Sequence, residues 1–223
     1  MSGQHRSIRG MLAVISLVVA WACAPASAPP SGKPITANRA AETATKQAPG
    51  SLAGQFLVAT PRIEDPRFSR TVIFMVAHDD KGAMGLVINR AYGAGSLSQL
   101  LTGFGITDSR KAEGTVRLYY GGPVEPERGF VLHSPDYRGA STQLIDTHVA
   151  LSTGRDVLEA IAAGHGPAET MFIIGYAGWS AGQLEREMAR EDWLTAPGNP
   201  DLIFNDHPET TWGKAYREAG LTL

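Results

Sequence analysis

With 223 residues, 43% of them hydrophobic, the chain can fill one sizeable core, and its charged content is ordinary for a soluble globular protein. The net charge of −2 is uneven: residues 1 to 50 carry Arg6, Arg9, Lys33, Arg39 and Lys46 against Glu42 alone, leaving 15 basic and 21 acidic side chains, a net of −6, on the rest. A body of that sign repels phosphate backbones and no basic stripe offsets it, so nucleic acid is not the expected partner.

Arg6 and Arg9 precede an uncharged apolar run from Met11 to Ala24 that stops at Pro25. As a helix that run would be about 21 Å long, short of the roughly 30 Å hydrocarbon core of a bilayer. Together with the small-residue exits Ala24-Pro25-Ala26 and Ala26-Ser27-Ala28, it reads as a signal peptide over residues 1–24. Cys23, the only cysteine, stands where a bacterial lipoprotein would be cut and acylated; Ala20 and Ala22 suit that processing and Trp21 does not. Lipidation of Cys23 and ordinary cleavage near Ser27 or Pro29 both stay open. The expected location is periplasmic or membrane-anchored, with membrane contact only through the leader or a lipid on Cys23. Residues 25–53, rich in Ala and Pro, lack the apolar side chains to offset ordering entropy and read as a tether. The domain spans residues 54–223.

Within it, apolar runs and alternation predict strands at Gln55 to Ala59, Thr71 to His78 and Ala83 to Asn89, the latter two joined by the turn Asp79-Asp80-Lys81-Gly82. A helix follows from Leu97 to Phe104, then strands at Thr115 to Tyr120, Gly129 to His133 and Gln143 to Ala150. Next come a helix from Arg155 to Ala163, a strand from Thr170 to Gly175, a helix from Ala181 to Glu191, a short strand from Leu202 to Phe204 and a helix from Thr210 to Ala219. Hairpins mixed with helices predict an α+β fold.

Four features bear on chemistry. Gly178-Trp179-Ser180-Ala181-Gly182 matches the strand–turn–helix serine elbow of hydrolases, with His133, His148 or His207 as candidate base. The elbow's acid and base should follow the serine in the chain, yet His207 is the only histidine after it, so the glycines are expected to form a tight turn and Ser180 to cap the next helix. Second, histidines 78, 133, 148, 165 and 207 show no metal-ligand spacing, so no metal is expected. Third, the Gly121-Gly122 turn with Arg128 nearby could hold an anion, although such turns more often serve the chain's bend. Fourth, no phosphate-loop or dinucleotide fingerprint is present, and no cofactor is expected.

The chain resembles the AlgH/YqgE family of bacterial proteins. The resemblance lies in Gln55-Phe56-Leu57-Val58-Ala59-Thr60-Pro61 with Asp65-Pro66-Arg67-Phe68, in Gly82-Ala83-Met84-Gly85-Leu86-Val87-Ile88-Asn89, and in Gly121-Gly122-Pro123-Val124 with Arg128-Gly129-Phe130-Val131-Leu132-His133. It continues in Ser152-Thr153-Gly154-Arg155-Asp156-Val157-Leu158, in Gly175-Tyr176-Ala177-Gly178-Trp179 with Gly182-Gln183-Leu184-Glu185, and in Trp193-Leu194 with Phe204. It implies a mixed β-sheet flanked by helices with a smaller inserted α/β lobe around the diglycine. It implies no established activity; the family name points to a proposed regulatory role in alginate production. Relatives look cytoplasmic and do not rely on a serine at the place of Ser180. The expectation is therefore a non-catalytic binding or regulatory domain at the cell envelope, contacting an unknown protein partner or small ligand through Gly121, Gly122, Arg128, His133 and Trp179. A small serine hydrolase and a cytoplasmic transcriptional regulator are the competing classes.

Overall fold

The structure, a computed structural model, describes residues 50–106 and 112–220. The expected leader, most of the tether and Cys23 lie outside the described residues. No helix among the described residues is long and apolar enough to cross a membrane.

The fold is α+β. Strands β1 (Gln55–Ala59), β2 (Val72–Asp79) and β3 (Gly82–Val87) form an antiparallel meander, and β4 (Ala91–Ser96), α1 (Leu97–Gly103) and β5 (Thr115–Tyr120) make an excursion from it. Then come β6 (Val124–His133), β7 (Thr142–Leu144), β8 (Ala150–Ser152), α2 (Arg155–Ala162), β9 (Thr170–Ser180), α3 (Gln183–Ala189), β10 (Trp193–Pro197), α4 (Pro200–Ile203) and α5 (Pro208–Glu218). The sheet runs β10-β1-β2-β3-β9-β6-β8-β7, and β4-β5 joins it through the parallel pairing of β5 with β9.

Continuous apolar runs become strands here because both sheet faces are covered. Phe56, Val58, Val72, Phe74, Leu86 and Ile88 face a core shared with Leu202, Ile203, Ala215 and Tyr216 of α4 and α5. The alternate residues Leu57, Ala59, Ile73, Met75 and Val87 face a second layer closed by Trp179, Leu184 and Trp193. Fully burying such a side chain contributes about 1.5–3 kcal/mol. The excursion and α2 enclose a third core around Leu101, Leu118, Val131, Val157, Leu158 and Phe172, which forms the smaller lobe. Trp212 donates its indole N–H to the Ala59 carbonyl at 2.8 Å and so ties α5 to β1.

Several expected elements are corrected. The strand expected at Leu202 to Phe204 is the helix α4, because Asn199 accepts the Asp201 amide with its side chain and Pro200 sits in the first turn, which outweighs a short apolar run. The single strand expected from Gln143 to Ala150 is two, β7 and β8, separated by a turn in which Asp146 Oδ1 accepts the amides of His148 and Val149. Strands β4 and β10 were not anticipated. The first is glycine-rich with no apolar alternation, and only three residues separate the second from the end of α3. The turn expected at Gly178 to Gly182 is also displaced: β9 runs on through Gly178 to Ser180, and the left-handed residue that opens α3 is Gly182, at φ 68°.

The diglycine makes a crossing. Gly121 lies beside β9 on the β3–β5 side, donating to the Ile174 carbonyl and accepting from the Val87 amide. Three residues later Val124 pairs with Tyr176 on the opposite side, at the start of β6. The chain passes over β9 between these points, so close that a Cβ on Gly122 would lie 2.2 Å from the Tyr176 carbonyl carbon, and one on Gly175 would lie 2.5 Å from the Gly122 oxygen. Only glycines permit backbone to ride on backbone at that distance.

Candidate functional site

Where the chain has crossed, a cleft of about 610 Å³ opens between the loop that joins β1 to β2, helix α3 and the end of β9. That volume lies within the range of small-ligand sites. The loop is fixed at both ends: Thr60 donates its hydroxyl to the Glu191 carbonyl at 2.7 Å, and Arg90 reaches the Ser69 carbonyl at 2.8 Å. Phe68 packs edge-on against Trp193, and Trp193 against Trp179, with ring centroids 5.7 and 6.0 Å apart.

Glu187 organises the floor. Its Oε2 accepts the indole N–H groups of both Trp179 (2.8 Å) and Trp193 (2.9 Å), while Oε1 accepts from Gln183 Nε2 at 3.0 Å. Helical spacing puts Gln183 and Glu187 on one face, as residues four apart. Gln183 Oε1 in turn accepts both the amide and the hydroxyl of Ser180, each at 3.1 Å.

Three guanidinium groups form the rim, each leaning on a carboxylate. Arg67 makes a bidentate contact with Asp65, closing to 2.6 Å, Arg190 holds Asp192 at 2.7 Å, and Arg62 holds Glu191 at 3.0 Å. The hydrogen bond from Arg67 keeps the Asp65 carboxyl below the ordinary carboxylate range. These arginines stay 60–67% exposed, so the pairs orient the groups more than they stabilise the fold. Each guanidinium carries five donors, and its carboxylate takes only some of them.

Of the residues expected to bind, Trp179 lies in the cleft and the diglycine reaches it through the adjoining Pro123. Gly121 and Gly122 are buried at the crossing, with the Gly121 amide spent on Ile174. Arg128 lies over Phe130 and pairs with Glu125, whose other oxygen accepts from the Tyr176 hydroxyl. His133 is elsewhere: it pairs with Thr170 at the start of β9, ten residues before Ser180, which is roughly 30 Å along a strand.

His133 ends a buried chain of hydrogen bonds. Its Nδ1 faces the Ser134 carbonyl at 2.7 Å and must donate, so Nε2 accepts from the Ser152 hydroxyl at 2.9 Å. Ser152 then accepts from Thr142 at 2.8 Å, and Thr142 from the Gly139 amide at 2.9 Å. Burial pushes the imidazole toward its neutral form, which this chain requires.

Ser180 does not cap α3, as had been expected; it is the last residue of β9, exposed, with its hydroxyl on Gln183. His148 lies in the Asp146 turn, and His207 precedes α5 beside Glu209. By strand register the histidine closest to Ser180 is His78, two strands across at about 10 Å, where its Nε2 is 2.9 Å from Glu185. Among the described residues no group of His, Cys, Asp and Glu could hold a metal ion. Arg62, Arg190 and Glu187 carry no motif signal of their own. For Arg190 and Glu187 the sequence trace is the Arg190-x-Asp192 spacing and the Gln183-x-x-x-Glu187 step; Arg62 leaves none.

A family model described as AlgH-like matches residues 56–223, and the chain belongs to that family. A UPF0301 protein of Methylococcus capsulatus is 52% identical over 171 residues, covering 77% of this chain and 93% of the relative. The solution structure of the AlgH protein from Pseudomonas aeruginosa superposes with a TM-score of 0.66 at 40% identity, over 79% of this chain and 93% of that one. A crystal structure from Corynebacterium diphtheriae, 21% identical with a TM-score of 0.58 over 74% of this chain and 85% of that one, shares the fold.

Proposed function

Starting from membership of the AlgH-like family, we propose that the chain is a non-catalytic binding domain with a regulatory role at the cell envelope, and that the cleft around Glu187 is its binding site. One observation carries the reading. A single carboxylate fixes two indoles, while three exposed guanidinium groups are oriented by their own carboxylates, so the walls are pre-positioned for a guest. The Ser180 hydroxyl next to the cleft is engaged with a side-chain amide, which cannot serve as a base, and this favours binding over acyl transfer.

Two measurements on the full-length protein test the reading. Amide chemical shifts recorded against a panel of small carboxylates, phosphates, amino acids and short peptides should move at Ile63 to Phe68, Gly178 and Gln183 to Trp193. Shifts confined to other surfaces, or none for any compound, would sink the cleft assignment. An alkyl fluorophosphonate should leave Ser180 unlabelled; labelling abolished by Ser180→Ala would make the protein a hydrolase. For the envelope, fractionation of intact and Cys23→Ser protein should place both outside the cytoplasm, with membrane association lost in the variant if Cys23 is acylated. Cytosolic recovery of the intact protein would refute export.

A further inference from the structure

The cleft has a main-chain wall. On one side β9 pairs with β3 through Gly82–Ser180, Ala83–Trp179, Met84–Gly178 and Gly85–Ala177. On its other side the pairing with β6 ends at Val124–Tyr176, so among the described residues Gly178 to Ser180 have no strand beside them there. The direction of the free groups follows from one hydrogen bond. Ser180 donates its amide to Gln183 Oε1, away from β3, which makes Gly82–Ser180 a non-hydrogen-bonded pair. Such pairs alternate along an antiparallel ladder, so Met84–Gly178 is of the same kind and the N–H and C=O of Gly178 also point away from β3. Gly178 is exposed and lines the cleft, and no group among the described residues pairs with them. Gln183 caps the end of this short edge at Ser180, and Pro123, which has no N–H, closes the other.

The side-chain inventory selects what can lie there. Asp65 gives both oxygens to Arg67 and Glu187 is spent on the two indoles and Gln183, while Asp192 gives Arg190 one oxygen, Oδ2. What is left over is mostly donors: the guanidinium N–H groups that those carboxylates do not take, set against Glu64 and the second oxygen of Asp192.

We propose that the cleft binds an extended peptide segment bearing acidic side chains. The segment adds as a short strand beside Gly178, exchanging main-chain hydrogen bonds with it, and its carboxylates meet Arg67 and Arg190. This rests on the reading of the cleft as the binding site and names the class of its partner. Alternation along a strand presents every second side chain to the same face, so a peptide of period two places its acids together on the arginine rim.

The test uses the full-length protein, acetylated and amidated Glu-Val-Glu-Val-Glu, the same peptide N-methylated at residues of one parity or the other, and Lys-Val-Lys-Val-Lys. The acidic peptide should shift the Gly178 amide resonance and lose about tenfold in affinity in the Arg67→Ala/Arg190→Ala protein. N-methylation of one parity should cost about tenfold and of the other parity little, the signature of a one-sided ladder. Equal binding of both N-methylated forms would overturn strand addition while leaving an anion site in the cleft. Equal binding of the lysine peptide would overturn the acidic preference. Absence of binding by all four peptides would overturn the proposal outright; the cleft assignment would then stand or fall on the small-molecule shifts.

Discussion

Replacing Glu187 with alanine tests how the floor of the cleft is built. The indoles of Trp179 and Trp193 are 7% and 3% exposed, and both N–H groups converge on Glu187 Oε2. Leaving one buried donor unpaired costs about 1–3 kcal/mol, and two orphaned indoles set an upper range of about 2–6 kcal/mol. Water entering from the cleft can replace part of the lost acceptor, so Glu187→Ala should destabilise by about 2–4 kcal/mol. Glu187→Gln keeps an oxygen in place without the charge and should cost about half as much. Urea unfolding followed by far-UV circular dichroism gives both values, and tryptophan emission should move to the red in the alanine variant as the indoles find water. A Glu187→Ala protein within about 0.5 kcal/mol of wild type would refute the argument and leave the indole geometry set by packing alone.

Gly122→Ala should cost more than about 3 kcal/mol or prevent folding, because the three obstructing atoms belong to the main chain of Tyr176 and Ala177 and cannot swing aside; recovery of soluble protein and its Tm report this. Ser180→Ala should change stability by less than about 0.5 kcal/mol, since the hydroxyl is exposed and Gln183 Oε1 still accepts the main-chain amide of residue 180; urea midpoints decide. Stability should decline as pH falls below about 6.5, because burial lowers the proton affinity of folded His133, so the unfolded chain binds the extra proton first. The decline stops once folded His133 itself protonates, and His133→Asn should flatten it in unfolding free energies measured from pH 7.5 to 5. Asp65 and Asp156, both held below the ordinary carboxylate range, add a separate loss starting near pH 4 in either protein. For Asp156, burial opposes the shift and the hydrogen bonds from Ser141 outweigh it.

How much of this was legible in the sequence depended on whether one segment carried its own signal. Strand β1 matches its expected bounds because its apolar run is buried on both faces, β5 does so with Leu118 and Tyr119 buried on opposite faces, and α1 and α2 match to within a residue. Periodicity failed where pairing partners decide: Ala91–Ser96 becomes a strand only because β5 lies beside it, and β10 only because β1 does. The turn expected at Gly178 is displaced for a related reason. Glycine at 178 reads as a turn in isolation, but β3 continues to pair with β9 up to Ser180. The cleft was half visible. Trp179 and the diglycine stood out, whereas Arg62, Glu187 and Arg190 lie on a loop and a helix whose approach to β9 no local pattern encodes.

That division bears on what family membership implies for function. The most recognisable blocks, Gly121-Gly122-Pro123-Val124 and Gly175-Tyr176-Ala177-Gly178-Trp179, meet at the crossing, where sterics alone demand Gly122 and Gly175. Their persistence in a relative would therefore report the fold and say nothing of a ligand. Gly178 is different. The atom nearest to a Cβ placed on it belongs to the ring of Tyr176, 3.2 Å away, and its φ lies outside the left-handed region, so neither backbone conformation nor a main-chain obstruction requires glycine there. A side chain at 178 would project on the face that carries Tyr176 and Val124, beside the strand edge that the cleft exposes. If Gly178→Val leaves Tm near the wild-type value yet weakens the acidic peptide, glycine is kept at 178 for access to the main chain. If the variant binds as wild type does, the wall of the cleft lies in its arginines alone.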